Sequence, residues 1–274
     1  MAANTRIMYD NIAERGTITA STYAGVLVPA NLVASRKSKV WRSTGTSATL
    51  SVVLAAAEVA SMVALPFCDL TSASTIRVRL YSDAAGANLV LDTAAQSACP
   101  AQSLQPRGFT TAQAANAYAY GGGAYARIWF TPTSFMKAVI DIADAGNPLG
   151  FIESSYLWIS NYWEVPYNPS SSPVGWIDDS SMSSSRAGDQ MVTSSWLRRR
   201  LSIDLTQFPA TDRTKMVTLL RNSRAYPILI SVFPGSTDLE LERDYFILGR
   251  RPRDSDIAIE MSSYYSVNIP IEEV

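Results

Sequence analysis

A chain of 274 residues, 47% hydrophobic and 17% charged, carries enough apolar material for one large or two ordinary cores, which excludes a disordered chain. Its 23 basic and 24 acidic residues leave a net charge of −1, so no whole-molecule field recruits nucleic acid or an anionic membrane. There is no histidine, which removes Ser-His-Asp and Cys-His catalysis and His-ligated zinc and leaves carboxylate, Lys or Tyr chemistry.

The opening residues Met1 to Asp10 lack an apolar signal core, and no run approaches the ~20 apolar residues that span a bilayer. The longest apolar stretch, Val52 to Leu65, is broken by Glu58 and Ser61. The expectation is a soluble protein outside the secretory pathway. Cys68 and Cys99 sit in no metal-ligand spacing and are too few for a disulfide scaffold; buried, reduced thiols are expected, with a disulfide between them as the alternative.

In chain order, Ala24 to Leu32 is apolar and interrupted by Pro29, and Lys37 to Ser43 carries Val40 and Trp41 between charges. Ser47 to Leu54 alternates, and Glu58 to Phe67 leads into Leu65 to Ser82, which reads as two strands joined by a turn of small residues. In the second of these, Ile76, Val78 and Leu80 share one face and Arg77, Arg79 and Tyr81 the other, the period of a half-buried antiparallel strand. A long Ala/Gln/Ser/Thr-rich loop is expected from Ala84 to Ala115. Strand patterns resume at Tyr125–Phe130, Ala138–Ile142 and Tyr156–Ser160, the last two separated by the turn cluster Asp144–Gly150. Short strands at such intervals predict an antiparallel sandwich or jelly roll.

From Asn168 to Gly188 the composition shifts to Ser, Pro, Gly and Asp, which predicts a linker or long surface loop. The expected organisation is a jelly-roll β-sandwich over 1–167, this linker over 168–188, and a smaller α+β assembly domain over 189–274. In the last part, Trp196 to Leu205 ends in a strand with Leu201, Ile203 and Leu205 on one face. A helix follows Phe208, capped by Thr211, with Asp212 in its first turn, Met216, Leu219 and Leu220 on one face, and Arg221 and Arg224 towards its end. Tyr226–Phe233 reads as a buried strand before a Pro234-Gly235 turn, and Tyr245–Leu248 and Asp256–Glu260 as further strands. The tail from Tyr265 alternates at Val267, Ile269 and Ile271, and either completes a sheet or pairs with a neighbour.

Trp41-Arg-Ser, the Leu65–Ser82 double strand, Tyr125–Phe130, Ala138–Ile142 and Phe151–Trp163 together resemble the galactose-binding-like jelly roll, a family that includes many carbohydrate-binding modules. The resemblance implies a lectin-like sandwich over about the first 165 residues without implying sugar binding. The whole chain, with Trp196-Leu-Arg-Arg-Arg-Leu, a helix, Tyr226-Pro-Ile-Leu-Ile and a C-terminal Ile-Glu-Glu, resembles structural proteins of tailed bacteriophages, of tail-tip or baseplate type. That likeness implies a non-enzymatic virion component in the tail, assembled in the host cytoplasm, whose partners are copies of itself in a ring and other tail proteins. Neck, collar or fibre attachment would look the same, and recognition of a host surface glycan is the competing reading. No cofactor, nucleic acid or membrane insertion is implied.

Arg198, Arg199 and Arg200, with Arg250 and Arg251, are candidate interface residues, since guanidinium forks suit carboxylates across an assembly contact; the alternative is a solvated strand edge. Trp158, Tyr162, Trp163 and Trp176 can stack on sugar rings or fill the seam between two domains. Asp178, Asp179 and Asp189 offer oxygens to a hard cation but match no EF-hand spacing, and acidic Ser-rich loops are ordinarily just solvated; for the turn with Asp83, Gly86 and Asn88 the jelly-roll resemblance implies a structural Ca²⁺ as the alternative to a plain turn. Asp141, Glu153 and Glu164 are the carboxylates available for glycoside hydrolysis, which requires a facing pair; Asp141 and Glu153 fall within expected strands, whose exposed faces carry such residues routinely. Gly121–Gly123 lacks the Lys-Ser or Lys-Thr of a phosphate cradle and reads as a turn.

Overall fold

Two long strands organise the first part of the chain. β4 (Ser47–Cys68) and β8 (Ala124–Ala143) run antiparallel, from Ser47 opposite Ala143 to Cys68 opposite Ala124. The sequence divides the first of these at Ala55–Ala57, and the structure keeps one strand with register shifts there, between Ala60 and Met62, and between Pro66 and Cys68. Such bulges bend a strand and increase its twist. The computed structural model describes residues 3–34, 36–99, 124–193, 197–223, 226–252, 255–260 and 264–274. The Gly121–Gly123 turn, the later part of the long loop, Trp196, Arg224 and Arg253 lie outside the described residues.

β5 (Thr75–Tyr81) pairs with the other edge of β8, so β8 is inserted between the two strands of the Leu65–Ser82 segment. This placement fixes the shape of the sheet. Thr75 and Ser47 both pair with Ala143, and the link 69–74 can span at most about 25 Å. A straight strand from Ser47 to Cys68 would measure about 70 Å. β4 therefore curls back on itself, and one sheet supplies both layers of a sandwich. β2 (Thr17–Ala20) pairs with its first half and β10 (Trp158–Ser160) with its second. β9 (Glu153–Ser154) joins its end to β3 (Trp41–Arg42), while β6 (Leu89–Asp92) and β7 (Gln96–Ser97) lie on β5 within the stretch expected to be loop. The enclosed core holds Trp41, Leu50, Val52, Leu65, Ile140 and Ile159 together with Ile76, Val78 and Leu80. On the outer face, Arg77 pairs with Asp92, and Arg79 with Asp141 at 2.7 Å.

A second antiparallel sheet has the order β11 (Trp163–Glu164), β1 (Arg6–Met8), β16 (Ile228–Ser231), β17 (Phe246–Arg250), β19 (Tyr264–Glu273), β15 (Leu197–Pro209), β12 (Val174–Asp178), with β18 (Ile257–Glu260) also on β19. Leu201, Ile203 and Leu205 face inward as their spacing predicts, and the C-terminal tail completes this sheet from its interior, with Val267, Ile269 and Ile271 buried. α1 (Ala210–Asn222) covers the core with Met216 and Leu219. Its start differs from the expectation. β15 runs to Pro209, which takes the cap position, so Thr211 lies inside the first turn and caps nothing. Proline has no side-chain acceptor, but its fixed φ suits a helix entry. A second short helix, α2 (Leu239–Asp244), precedes β17.

The expected division at 168–188 does not coincide with the division between sheets. β1 and β11, both from the first 167 residues, belong to the second sheet, because β1 is bracketed by β11 and β16. The Ser- and Pro-rich stretch itself contains β12 and β13 (Ser181–Ser184), the latter paired with β14 (Gln190–Thr193). The two sheets also share a core: Met62, Ala64, Phe67, Tyr125, Tyr156 and Trp158 pack on Met8, Leu229, Phe246 and Leu248. The second half of β4 is consequently buried on both faces. Among the described residues no helix is long and apolar enough to cross a membrane.

Candidate functional site

Strand alternation separates the three adjacent arginines. Arg199 points inward on the same parity as Leu201 and is 1% exposed, while Arg198 and Arg200 point outward. The Arg199 guanidinium meets the buried Glu273 carboxylate at 2.6 Å, donates to the Arg243 carbonyl at 2.9 Å, and lies 5.0 Å from the Tyr125 ring centre. Tyr125 Oη donates to the same carboxylate at 2.7 Å. Burial pushes the Glu273 carboxyl up, but Arg199 and the hydrogen bonds around it outweigh this and hold it below the ordinary carboxylate range. Arg199 thus locks β15 to β19 within the second sheet, Tyr125 of β8 reaches the same carboxylate from the sandwich, and the buried guanidinium is not available to another subunit. A second lock, Arg127 to Glu242 at 2.6 Å, is also buried.

The other arginines are partly engaged as well. Arg198 pairs with Asp179 at 2.6 Å. Arg251 donates to the Leu220 carbonyl at 2.7 Å and to Ser223 Oγ at 3.2 Å, closing the C-terminal end of α1, where a cation is favoured. Arg200 is exposed beside Glu272, and Arg250 is half-buried, also paired across the sheet with Glu272.

Of the four aromatic candidates, Trp158 is buried in the shared core and Trp163 in the second core. Tyr162 is half-buried, its ring under the Arg6 guanidinium at 4.1 Å and edge-on to Trp129. Trp176 on β12 is 51% exposed. The acidic candidates are similarly dispersed. Asp141 accepts from Thr49, Glu153 pairs with Arg42 at 2.6 Å, Glu164 with Arg6 at 3.3 Å, and Asp141 and Glu164 line different cavities. Asp83 accepts from the backbone amides of Gly86, Ala87 and Asn88, so its oxygens already organise a turn. Asp178 accepts from Ser180, and Asp189 from Ser185 across the β13–β14 turn.

Tyr162 and Trp163 nevertheless reach one groove of about 480 Å³ where the two sheets meet, together with Tyr9, Asp10, Glu58, Val59, Asn161 and Lys215. Its polar wall is built by Arg15, which holds Asp10 at 2.6 Å and Glu58 through Nε at 2.7 Å. These carboxylates raise the already high Arg15 pKa further. Ser61 Oγ donates to Asn161 Oδ1 at 2.9 Å and accepts from the Tyr162 amide at 3.1 Å, which fixes the loop after β10. Lys215 of α1 stands 5.8 Å from the Trp163 ring centre and pairs with Asp212. Asp10 and Glu58 thus share Arg15, Glu164 has Arg6, and Lys215 has Asp212, which leaves one carboxylate in excess. Each pinned carboxylate keeps acceptor positions beyond those its arginine uses. Tyr9, Asp10, Glu58, Asn161 and Lys215 carry no sequence signal for this grouping; only the meeting of the sheets assembles them.

No protein-family model matches the chain, and no curated protein matches its sequence. Solved structures similar to it include a GH29 fucosidase of Ruminococcus gnavus in complex with fucose, 12% identical, with a TM-score of 0.40 over 57% of this chain and 27% of that one. Another is the family 32 carbohydrate-binding module of Clostridium perfringens NanJ in complex with galactose, 13% identical, with a TM-score of 0.38 over 58% of this chain and 99% of that one. A third is a chitosan-binding module of a Paenibacillus chitosanase/glucanase, 16% identical, with a TM-score of 0.38 over 56% and 99%.

Proposed function

We propose that the chain is a non-enzymatic carbohydrate-binding module, and that the groove between the sheets takes an uncharged saccharide. The observation that supports this is the pinned pair Asp10 and Glu58 beside Tyr9, Tyr162 and Asn161. Sugar hydroxyls donate well to carboxylates already oriented by a guanidinium, and the faces of aromatic rings pack against the C–H groups of a pyranose. The excess of carboxylates at the groove disfavours an anionic ligand. Removing one charged acceptor from such a site costs about 1.5–3 kcal/mol, roughly tenfold to a hundredfold in affinity. Asp10→Ala and Tyr9→Ala should each weaken binding by at least tenfold in titration calorimetry with the saccharide picked out on a glycan array. An array without signal above background removes the reading.

A second reading, a structural part of a tailed-bacteriophage virion acting by subunit assembly in the tail, is favoured by one separate feature. β13 and β14 form a separate two-stranded ribbon, in which Met182, Met191 and Val192 are 75%, 58% and 56% exposed. An isolated two-stranded ribbon is marginal in water, and the exposed apolar side chains along it suit burial against another chain. Light scattering after size-exclusion, and the position of the chain in an electron-microscopy map of an intact particle, test it. A protein that stays monomeric and has no place in the particle overturns it.

A further inference from the structure

Cys68 ends β4, and Cys99 follows shortly after β7; both belong to the sandwich core, 1% and 0% exposed. They are thiols in the structure, and the two side chains are hydrogen-bonded to one another, with Ser74 also hydrogen-bonded to Cys99. Their backbones are held independently. Cys68 is paired with Ala124 and Ser154, while the Ala98 amide donates to the Ser74 carbonyl at 3.0 Å and its carbonyl accepts from Arg127 at 3.4 Å. Two thiols in contact in one core cluster, carried on separate segments, meet the first requirement of a disulfide. Among the described residues no group of three metal-ligating side chains surrounds them.

We propose that Cys68 and Cys99 form a latent crosslink, which a small-molecule disulfide closes into an intramolecular bond tying the end of β4 to the β7 segment. In the first step the Cys99 thiolate attacks one sulfur of the reagent and displaces the other as a thiol, giving a mixed disulfide. In the second, the Cys68 thiolate attacks Cys99 Sγ and releases the remaining reagent thiol. The protein loses two electrons and two protons, and the reagent is reduced to two thiols. The Cys68 hydrogen bond and burial hold the Cys99 thiol well above its ordinary pKa, so the thiolate forms when the β6–β7 edge opens. That edge is slight, since β7 is a two-residue strand whose pairing among the described residues is with β5.

The whole chain is incubated with oxidised glutathione in sub-denaturing urea, which admits opening of the edge. Intact mass should then fall by about 2 Da, with a Cys68–Cys99 peptide pair in the digest. The melting temperature should rise by roughly 5–10 °C and return on reduction, because the bond closes a long loop in the unfolded chain. Cys68→Ser and Cys99→Ser should each abolish the mass loss and the rise. Two thiols still open to alkylation after full unfolding of the treated protein, or a stable glutathione adduct without the crosslink, overturn the proposal; the wild-type digest alone decides it if a variant does not fold.

Discussion

The inward arginine shows how one position decides a set of contacts. Once Leu201, Ile203 and Leu205 are assigned to the core, the period of two carries the same face back to Arg199, so its burial was readable in the strand pattern. Its partner was not, because Glu273 is distant in sequence and reaches it only when β19 lies beside β15. Breaking a buried pair from one side leaves an uncompensated charge, so Arg199→Met should destabilise by about 3–5 kcal/mol in chemical denaturation. Arg198→Met, whose pair is exposed, should lie within about 1 kcal/mol of the parent. Burial pushes the Asp69 carboxyl up to about 6, with Glu153 and Asp144 nearby adding to the shift. The folded state then holds this proton more tightly than the unfolded state, so its effect on stability worsens as pH rises from about 4 to about 6 and is fully expressed above that. Asp69→Asn keeps an acceptor for the Glu153 amide and should lose less stability than the parent between pH 4 and pH 7, measured by urea unfolding.

Elements carry the next level of determination. Strand identity was legible for β5, β15 and β19, where apolar residues alternate cleanly, and helix α1 was legible from Met216, Leu219 and Leu220. The break at Ala55–Ala57 was visible as lost alternation, but it marks a bend within one strand, a distinction that pairing with β8 supplies. The close approach of β17 to β19 is set by Gly249, where an added Cβ would overlap the Ile271 side chain and the Glu272 carbonyl. Gly249→Ala should cost about 1–3 kcal/mol and lower the melting temperature, since neither neighbour can move without opening the sheet. The β13–β14 ribbon is exposed along its length. Replacing residues 180–193 by a tight turn should leave the thermal transition within a few degrees of the parent, while removing any self-association seen by light scattering.

At the scale of the whole molecule, the two sheets are joined by three features: the strands β1 and β11, the shared aromatic core, and the polar contacts of Tyr125 with Glu273 and of Arg127 with Glu242. Each large side chain in that core contributes about 1.5–3 kcal/mol on burial. A fragment ending at residue 167 would bare Met62, Phe67, Tyr125, Tyr156 and Trp158 and leave β1 without β16. Such a fragment should melt broadly or aggregate, whereas the full chain should unfold in one transition by calorimetry. The sequence by itself determined the antiparallel β character, the inward faces of individual strands and the absence of histidine chemistry, because alternation and composition are local properties of the chain. Tertiary structure alone decided the order of strands, the curl that makes one sheet into two layers, the membership of β1 in the far sheet, and the groove that gathers Tyr9, Asp10, Glu58 and Asn161. Those depend on which distant edges and charges meet, and sequence spacing holds no record of that.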